Sequence, residues 1–92
     1  MNKMNLETIL TKTLSRNIEL KRFYHMKHIK ITNNEGYLSM DKENNLYIVS
    51  IITKDTLETI KEEFTQSMLS YIDMIKQKGA YFNNTHILFI YS

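Results

Sequence analysis

The chain has 92 residues, of which 42% are hydrophobic and 24% charged, a balance that favours a globular domain over a disordered chain. Its formal net charge is only +2, and the absence of cysteine excludes a disulfide framework, a thiolate nucleophile and a cysteine zinc site. No apolar run is long enough for a signal peptide or for the ~20 residues of a membrane span. We therefore expect one domain, residues 1–92, in the cytoplasm and without membrane contact.

The N-terminal segment is amphipathic. One helical face carries Leu6, Ile9, Leu10 and Leu14. Leu20 and Tyr24 stay in phase with this face, which favours a helix over about 4–22, although RNIELKRFY could equally begin a strand near Ile18. Neither glycine nor proline lies here to decide between the two interpretations.

Four strands are predicted from alternating or β-branched segments. HIKIT (28–32) and YLSM (37–40) alternate with period two, and NNEG between them is typical of a tight turn. LYIVSII (46–52) and THILFIY (85–91) are apolar on both faces, as expected of central strands.

Between the last two strands, residues 55–78 are predicted to form a helix. Asp55 is its candidate N-cap and Glu58 the reciprocal member of a capping box, while Gly79 marks the C-terminal end. Apolar residues recur at spacings of three and four and form one stripe, which consists of Leu57, Ile60, Phe64, Met68, Tyr71, Ile72 and Ile75.

These elements predict an α+β fold of order α-β-β-β-α-β, with an antiparallel sheet packed against two helices. If both helices cover one face of the sheet, the other face needs a partner, and a homodimer is the commonest way to supply one. The candidate interface residues are Val49, Ile51, Ile87 and Phe89. Helices on opposite faces would instead leave neither face exposed.

A basic segment, residues 16–30, carries five cationic residues and one glutamate, a net charge of +4. Phosphate contacts need several cations on one surface, and single-stranded bases also stack on aromatic rings. The candidate residues for binding nucleic acid or a protein partner are Arg16, Lys21, Arg22, Phe23, Tyr24, Lys27 and Lys30. The alternative is that the aromatic residues cap the core while the lysines face solvent.

Catalytic and metal-site signatures are missing from the sequence. His25 and His28 have the i, i+3 spacing of two ligands on a helical turn, but zinc needs further ligands, and beyond scattered carboxylates only His86 remains. No nucleophile elbow, phosphate-binding glycine loop or zinc-protease motif is present. We expect no cofactor, no metal, no small-molecule substrate and no enzymatic activity.

EGYLSM, followed by DTLETIKEEFTQSMLSYIDMIKQKG, resembles the strand-to-helix part of HicB-type antitoxins, although the glycine before Asp55, the helix alanines and the proline-rich segment of that family are absent. The order helix, strand meander, helix also looks like that of some phage-encoded anti-CRISPR proteins. Lysine outnumbers arginine ten to two, a bias of AT-rich genes that indicates a low-GC bacterium or a mobile element. We expect a protein-interaction module that acts as an inhibitor, antitoxin or adaptor, with DNA or RNA binding as the alternative.

Overall fold

The computed structural model of the protein describes residues 2–26, 35–52 and 57–91, and at Met26 and residues 57–60 it describes the backbone only. Its elements follow the predicted order. They are α1 (Lys3–Leu14), β1 (Leu20–Met26), β2 (Gly36–Asp41), β3 (Leu46–Ile52), α2 (Leu57–Gln77) and β4 (Thr85–Tyr91). The predicted strand over residues 28–32 lies outside the described residues, and β1 precedes it in the chain.

The four strands form one sheet in the order β1-β2-β3-β4. β1, β2 and β3 pair antiparallel, but β4 lies parallel to β3. The prediction of a purely antiparallel sheet is therefore wrong. Helix α2 carries the chain from the end of β3 back to the end where β3 began, so β4 runs in the same direction as its neighbour.

Helix α1 ends at Leu14, so the prediction of a helix over 4–22 is wrong. Ser15 adopts the left-handed conformation (φ 55°), and its N–H bonds to the Thr11 carbonyl. The Thr11 hydroxyl oxygen then accepts the Ile18 N–H at 3.1 Å, and the Glu7 carboxylate accepts the Leu20 N–H at 2.9 Å. These bonds redirect the chain into β1 as the alternative interpretation proposed.

Two hydrophobic clusters lie on opposite faces of the sheet. The face on the α1 side is built on Leu6, Leu10, Ile18, Leu20, Tyr37, Tyr47 and Val49, and the face on the α2 side on Leu46, Ile48, Phe64, Ile72 and Phe82. Successive residues of β3 alternate between the clusters, as side chains of a strand must. The helices therefore cover opposite faces, which is the second of the two predicted arrangements.

The predicted helix over 55–78 is confirmed over Leu57–Gln77, which is α2. Its candidate N-cap, Asp55, lies outside the described residues. Phe64 and Ile72 are buried against the sheet, but Tyr71 is 37% exposed and does not belong to the core stripe. Gly79 has φ 92° and donates to the Lys76 carbonyl, and Ala80 donates to the Ile75 carbonyl. This pair of bonds is a Schellman motif, and it ends the helix where the sequence predicted.

Candidate functional site

Residues 20–26 of the basic segment form the edge strand β1, and a bulge at Lys21 decides which way its side chains point. The pairing register with β2 shifts between Leu20 and Arg22, which makes Lys21 the extra residue. Leu20 and Phe23 therefore both pack on the α1 side, although they are three residues apart. The predicted binding residues of β1 are consequently divided between the two faces of the sheet.

On the α1 side, the aromatic and cationic residues are engaged within the chain. Phe23 stacks on Tyr37 with ring centroids 5.1 Å apart. Arg16 donates a hydrogen bond of 2.9 Å to the Tyr47 hydroxyl and lies 4.0 Å from the Glu43 carboxylate. Lys21 donates to the Asn44 side-chain oxygen. Phe23 is thus a packing residue here, while both cations already have partners.

On the α2 side, Arg22 and Tyr24 lie next to each other on β1, opposite Met40 and Leu38 of β2. Tyr24 is 57% exposed. Among the described residues, no hydrogen bond or ion pair engages the Arg22 guanidinium. Of the seven predicted residues, the structure brings these two together at an open surface, and Lys27 and Lys30 lie outside the described residues.

Arg22 and Tyr24 form one wall of a groove with a volume of about 180 Å³. The groove is lined by Arg22, Tyr24, Leu38, Ser39, Met40, Leu46, Ile75, Ala80 and Phe82. Arg22 is the charged residue of this lining, and most of the remaining side chains are apolar. Such a combination of apolar surface and one or two polar groups is typical of a ligand site.

The turn between β2 and β3 holds a buried polar network around Asp41. The Tyr47 hydroxyl donates to this carboxylate at 2.6 Å, and the Asn45 N–H and side-chain amide donate at 2.9 and 3.0 Å. Burial acts to raise the pKa of Asp41, but these hydrogen bonds together hold it below its ordinary value. Burial and the bond to Asp41 raise the pKa of Tyr47 to about 12. Both groups therefore keep their protonation states near neutral pH, as expected of structural groups.

The described histidines lie far apart in the sheet order. His25, on β1, stacks on Tyr37, and its Nε2 is 3.2 Å from the Glu35 carboxylate. His86, on β4, stacks on Tyr47 with ring centroids 5.2 Å apart. Within residues 2–26, 35–52 and 57–91, no three acidic or histidine side chains are grouped as metal ligands. His28 lies outside these ranges.

The predicted interface residues lie on both faces of the sheet. Val49 is fully buried beneath α1, and Ile51 is half-buried on the same side. Ile87 and Phe89 are half-buried on the α2 side. There the ring centroids of Phe89 and Phe64 lie 5.4 Å apart in an edge-to-face contact. Ile87 and Phe89 therefore remain partly accessible on β4, and Val49 does not.

Sequence reasoning did not anticipate the groove. Its walls come from β1, β2 and the segment after α2, so its members are spread from residue 22 to residue 82. The available signal was the strand interpretation of RNIELKRFY, which places Arg22 and Tyr24 on one face. The bulge at Lys21 has no comparable signature in the sequence.

In the part of the chain that the structure describes, no helix is long and apolar enough to cross a membrane. Comparison with protein-family models, curated proteins and solved structures finds no match to this chain.

Proposed function

We propose that the protein works by binding other proteins, and that it forms a homodimer through the outer edge of β4. The observation that carries the proposal is the chemistry of this edge strand. Residues 85–90 are all half-buried and Tyr91 is 55% exposed, so both faces of β4 remain accessible along its length. An exposed apolar edge strand is a template for pairing with another chain.

The other edge of the sheet differs in charge. Each strand carries one histidine, but β1 also carries Lys21 and Arg22, whereas β4 reads THILFIY and contains no Lys, Arg, Asp or Glu. Charged residues on an edge strand oppose edge-to-edge association. The difference favours β4 over β1 as the pairing edge.

A second copy of the chain suits this edge because the strand is complementary to itself. An antiparallel pair with its twofold axis at Leu88 sets Ile87 of each copy opposite Phe89 of the other. Both residues lie on the α2 side, so the axis generates two aromatic–β-branched pairs of the kind that stabilise sheets. The product is a continuous eight-stranded sheet without an apolar edge at its centre.

Cross-linking tests this arrangement directly, because the chain has no cysteine of its own. A Leu88→Cys variant places two thiols across the axis, where paired Cα atoms lie about 4.5–5.5 Å apart and a disulfide can form. We expect mild oxidation to give a covalent dimer, measured by non-reducing electrophoresis.

His86→Cys is the matched control on the same strand and face. In the proposed register the two introduced thiols lie four residues apart along the sheet, or about 13 Å, too far for a disulfide. Efficient cross-linking at both positions would show a different register or a non-specific contact. A failure of Leu88→Cys to cross-link would contradict dimerisation through the centre of β4.

Within this proposal the protein is a cytoplasmic inhibitor, antitoxin or adaptor of a low-GC bacterium or mobile element. The small domain, the missing catalytic motifs and the available binding surfaces support a role in binding over one in catalysis. A homodimer would present its target-binding surface twice.

Binding of DNA or RNA is the second candidate, favoured by the placement of Arg22 beside the exposed Tyr24 ring. An arginine and an aromatic platform suit a single strand. A polarisation titration with labelled single-stranded DNA, duplex DNA and RNA tests it. Phosphate contacts would give affinity that falls linearly with salt on logarithmic axes, and Arg22→Glu would weaken it. An absence of binding at low salt would exclude this candidate.

A further inference from the structure

We propose that the groove beside β1 binds a partner polypeptide through an apolar side chain that lies next to a carboxylate. This inference rests on the proposed function, because it names the chemistry of the protein that the module binds. The groove and the β4 edge lie on opposite sides of the sheet order, so the two contacts do not compete for the same strand.

The groove exists because α2 does not cover the whole face on its side. Phe64 of α2 packs on Phe89 of β4, while the walls of the groove are formed by Arg22 and Tyr24 on one side and by Ile75 and Phe82 on the other. Leu38 and Met40 of β2, which lie between them, are only partly buried. An apolar surface is thus left open between β1 and the end of α2.

The size of the groove fits one side chain. Its volume of about 180 Å³ exceeds the roughly 150 Å³ of a cavity that accommodates benzene. A phenylalanine, leucine or methionine side chain of the partner would therefore fill it. Burial of such an anchor in an apolar pocket is the usual origin of binding energy at a small interface.

The charge at the rim selects the neighbour of that anchor. Arg22 contributes a guanidinium without a partner among the described residues, and the Lys76 ammonium lies 5.1 Å from the Phe82 ring centroid. No Asp or Glu contributes to the described lining. A guanidinium binds a carboxylate through two parallel hydrogen bonds, so an acidic residue beside the anchor complements the rim.

A nucleobase fits the lining less well. Bases are recognised through hydrogen bonds to their edges as well as by stacking. The described lining offers mainly aliphatic and aromatic carbon, and the Ser39 hydroxyl already donates toward the Tyr47 carbonyl at 3.4 Å. The observations therefore favour an apolar side chain as the occupant.

The test uses phenylacetate, which joins one aromatic ring to one carboxylate. Phenylacetamide and 2-phenylethylamine keep the ring and make the polar group neutral or cationic. Each compound is titrated into the ¹⁵N-labelled full chain while backbone amide shifts are followed. We expect saturable shifts around Arg22, Leu38 and Phe82, with dissociation constants in the millimolar range and phenylacetate about two- to fivefold tighter than the amine. Equal affinity for all three compounds, or shifts confined to other regions, would overturn the proposal.

Charge reversal at the rim supplies the decisive variant. Arg22→Glu should reverse the order so that 2-phenylethylamine binds more tightly than phenylacetate. Lys61→Glu makes the same change at an exposed position of α2 outside the groove lining and should leave the order unchanged. If Arg22→Glu does not fold, Arg22→Gln should abolish the preference for the anion. An unchanged preference in the folded Arg22 variant would contradict the role of the guanidinium.

The ligand titration and the cross-linking experiment test the groove and the dimer separately. Leu88→Lys should give a monomer that retains the phenylacetate shifts. Groove shifts without Leu88→Cys cross-linking would support the groove and contradict the dimer, while cross-linking without groove shifts would do the reverse. Shifts of the same amides by a single-stranded oligothymidine, with none from phenylacetate, would identify nucleic acid as the ligand and overturn the inference.

Discussion

At the scale of single residues, the Asp41 carboxylate accepts four hydrogen bonds. Its carboxylate accepts bonds from Tyr47 and from the Asn45 backbone and side chain, and the Glu43 N–H donates to it at 2.9 Å. The carboxylate is nearly buried, so the bonds are needed to replace its water. Asp41 thereby joins the turn between β2 and β3 to the ring of Tyr47 in the core.

We expect Asp41→Asn to lower the free energy of unfolding by about 1–3 kcal/mol at pH 7, because an amide cannot accept from all of these donors. The shifted pKa of Asp41 determines how its contribution to the free energy of unfolding changes with pH. The folded pKa of Asp41 lies below its ordinary value, so its charge stabilises the fold above pH 3.8. That stabilisation disappears as the pH falls through the folded pKa. Urea denaturation at pH 7 and at successively lower pH should show the gap between the two proteins closing below pH 3.8.

Glu62→Gln is the control, since Glu62 is exposed on α2 and its charge should affect stability little at either pH. A gap between wild type and Asp41→Asn that stays constant down to pH 2 would show that the carboxylate charge does not contribute.

In the sequence, Asp41 follows the predicted strand YLSM, and no pattern separates it from the charged residues beside it. Its role depends on Tyr47, which lies on the next strand and reaches back to it. The same limit applies to Arg22 and Tyr24, which were predicted as binding residues but share their surface with residues of the distant α2 end. Contacts between elements set these roles, and local composition does not contain them.

At the scale of elements, the two helices end in the same backbone conformation with different residues. Ser15 has φ 55° and Gly79 has φ 92°. Left-handed backbone costs about 1–2 kcal/mol for a residue with a Cβ, whereas glycine adopts it freely. A Cβ at Gly79 would meet no atom within 4 Å, so any cost of substitution there comes from the backbone alone.

Opposite substitutions at these two positions should have unequal effects. Gly79→Ser is expected to lower the free energy of unfolding by about 1 kcal/mol, because serine must adopt the left-handed conformation. Ser15→Gly should remain within about 0.5 kcal/mol of the wild type, since relief of the strained φ offsets the entropy that glycine adds to the unfolded chain. Thermal and urea unfolding of both variants measures the difference.

A loss of 1 kcal/mol or more in Ser15→Gly would instead show that the serine side chain stabilises the end of α1. An unaffected Gly79→Ser variant would show that the Schellman motif tolerates serine in that conformation.

The end of α2 was predicted and the end of α1 was not, because only α2 is followed by a glycine. Gly79 follows a regular apolar stripe and marks the end of α2 in the sequence. At the end of α1 a serine takes the position that glycine commonly occupies, and Leu20 continues the helical phase by coincidence. Periodicity therefore extended the helix, while hydrogen bonds from Thr11 and Glu7 to the following segment ended it.

At the scale of the whole molecule, the sequence indicates the order of the elements but not the direction of β4 in the sheet. The β-branched pattern locates β3 and β4 and shows that both faces are apolar, and the structure confirms that β3 is buried on both sides. The direction of β4 relative to β3 depends on the segment that connects the two strands. The helix between them returns the chain to the end of the sheet where β3 began, and β4 therefore pairs parallel to β3.

The same arrangement gives the sheet two different edges, and the proposed dimer joins the uncharged one. A domain of 92 residues has a limited core, so burial of a second interface should contribute visibly to its stability. Association that favours the folded state makes the unfolding midpoint depend on protein concentration. We expect the midpoint to rise by about 3–5 °C for each tenfold increase in concentration, measured by calorimetry or circular dichroism.

Leu88→Lys removes this dependence if β4 is the interface, because a lysine at the centre of the edge opposes pairing. Its mass by light scattering should equal the 11.0 kDa of one chain, where the wild type should show twice that value. Met4→Lys adds the same charge at a residue of α1 that is 75% exposed and should leave both the mass and the concentration dependence unchanged. A wild-type midpoint that is independent of concentration, together with the mass of one chain, would leave β4 as an exposed edge and require another explanation for its missing charges.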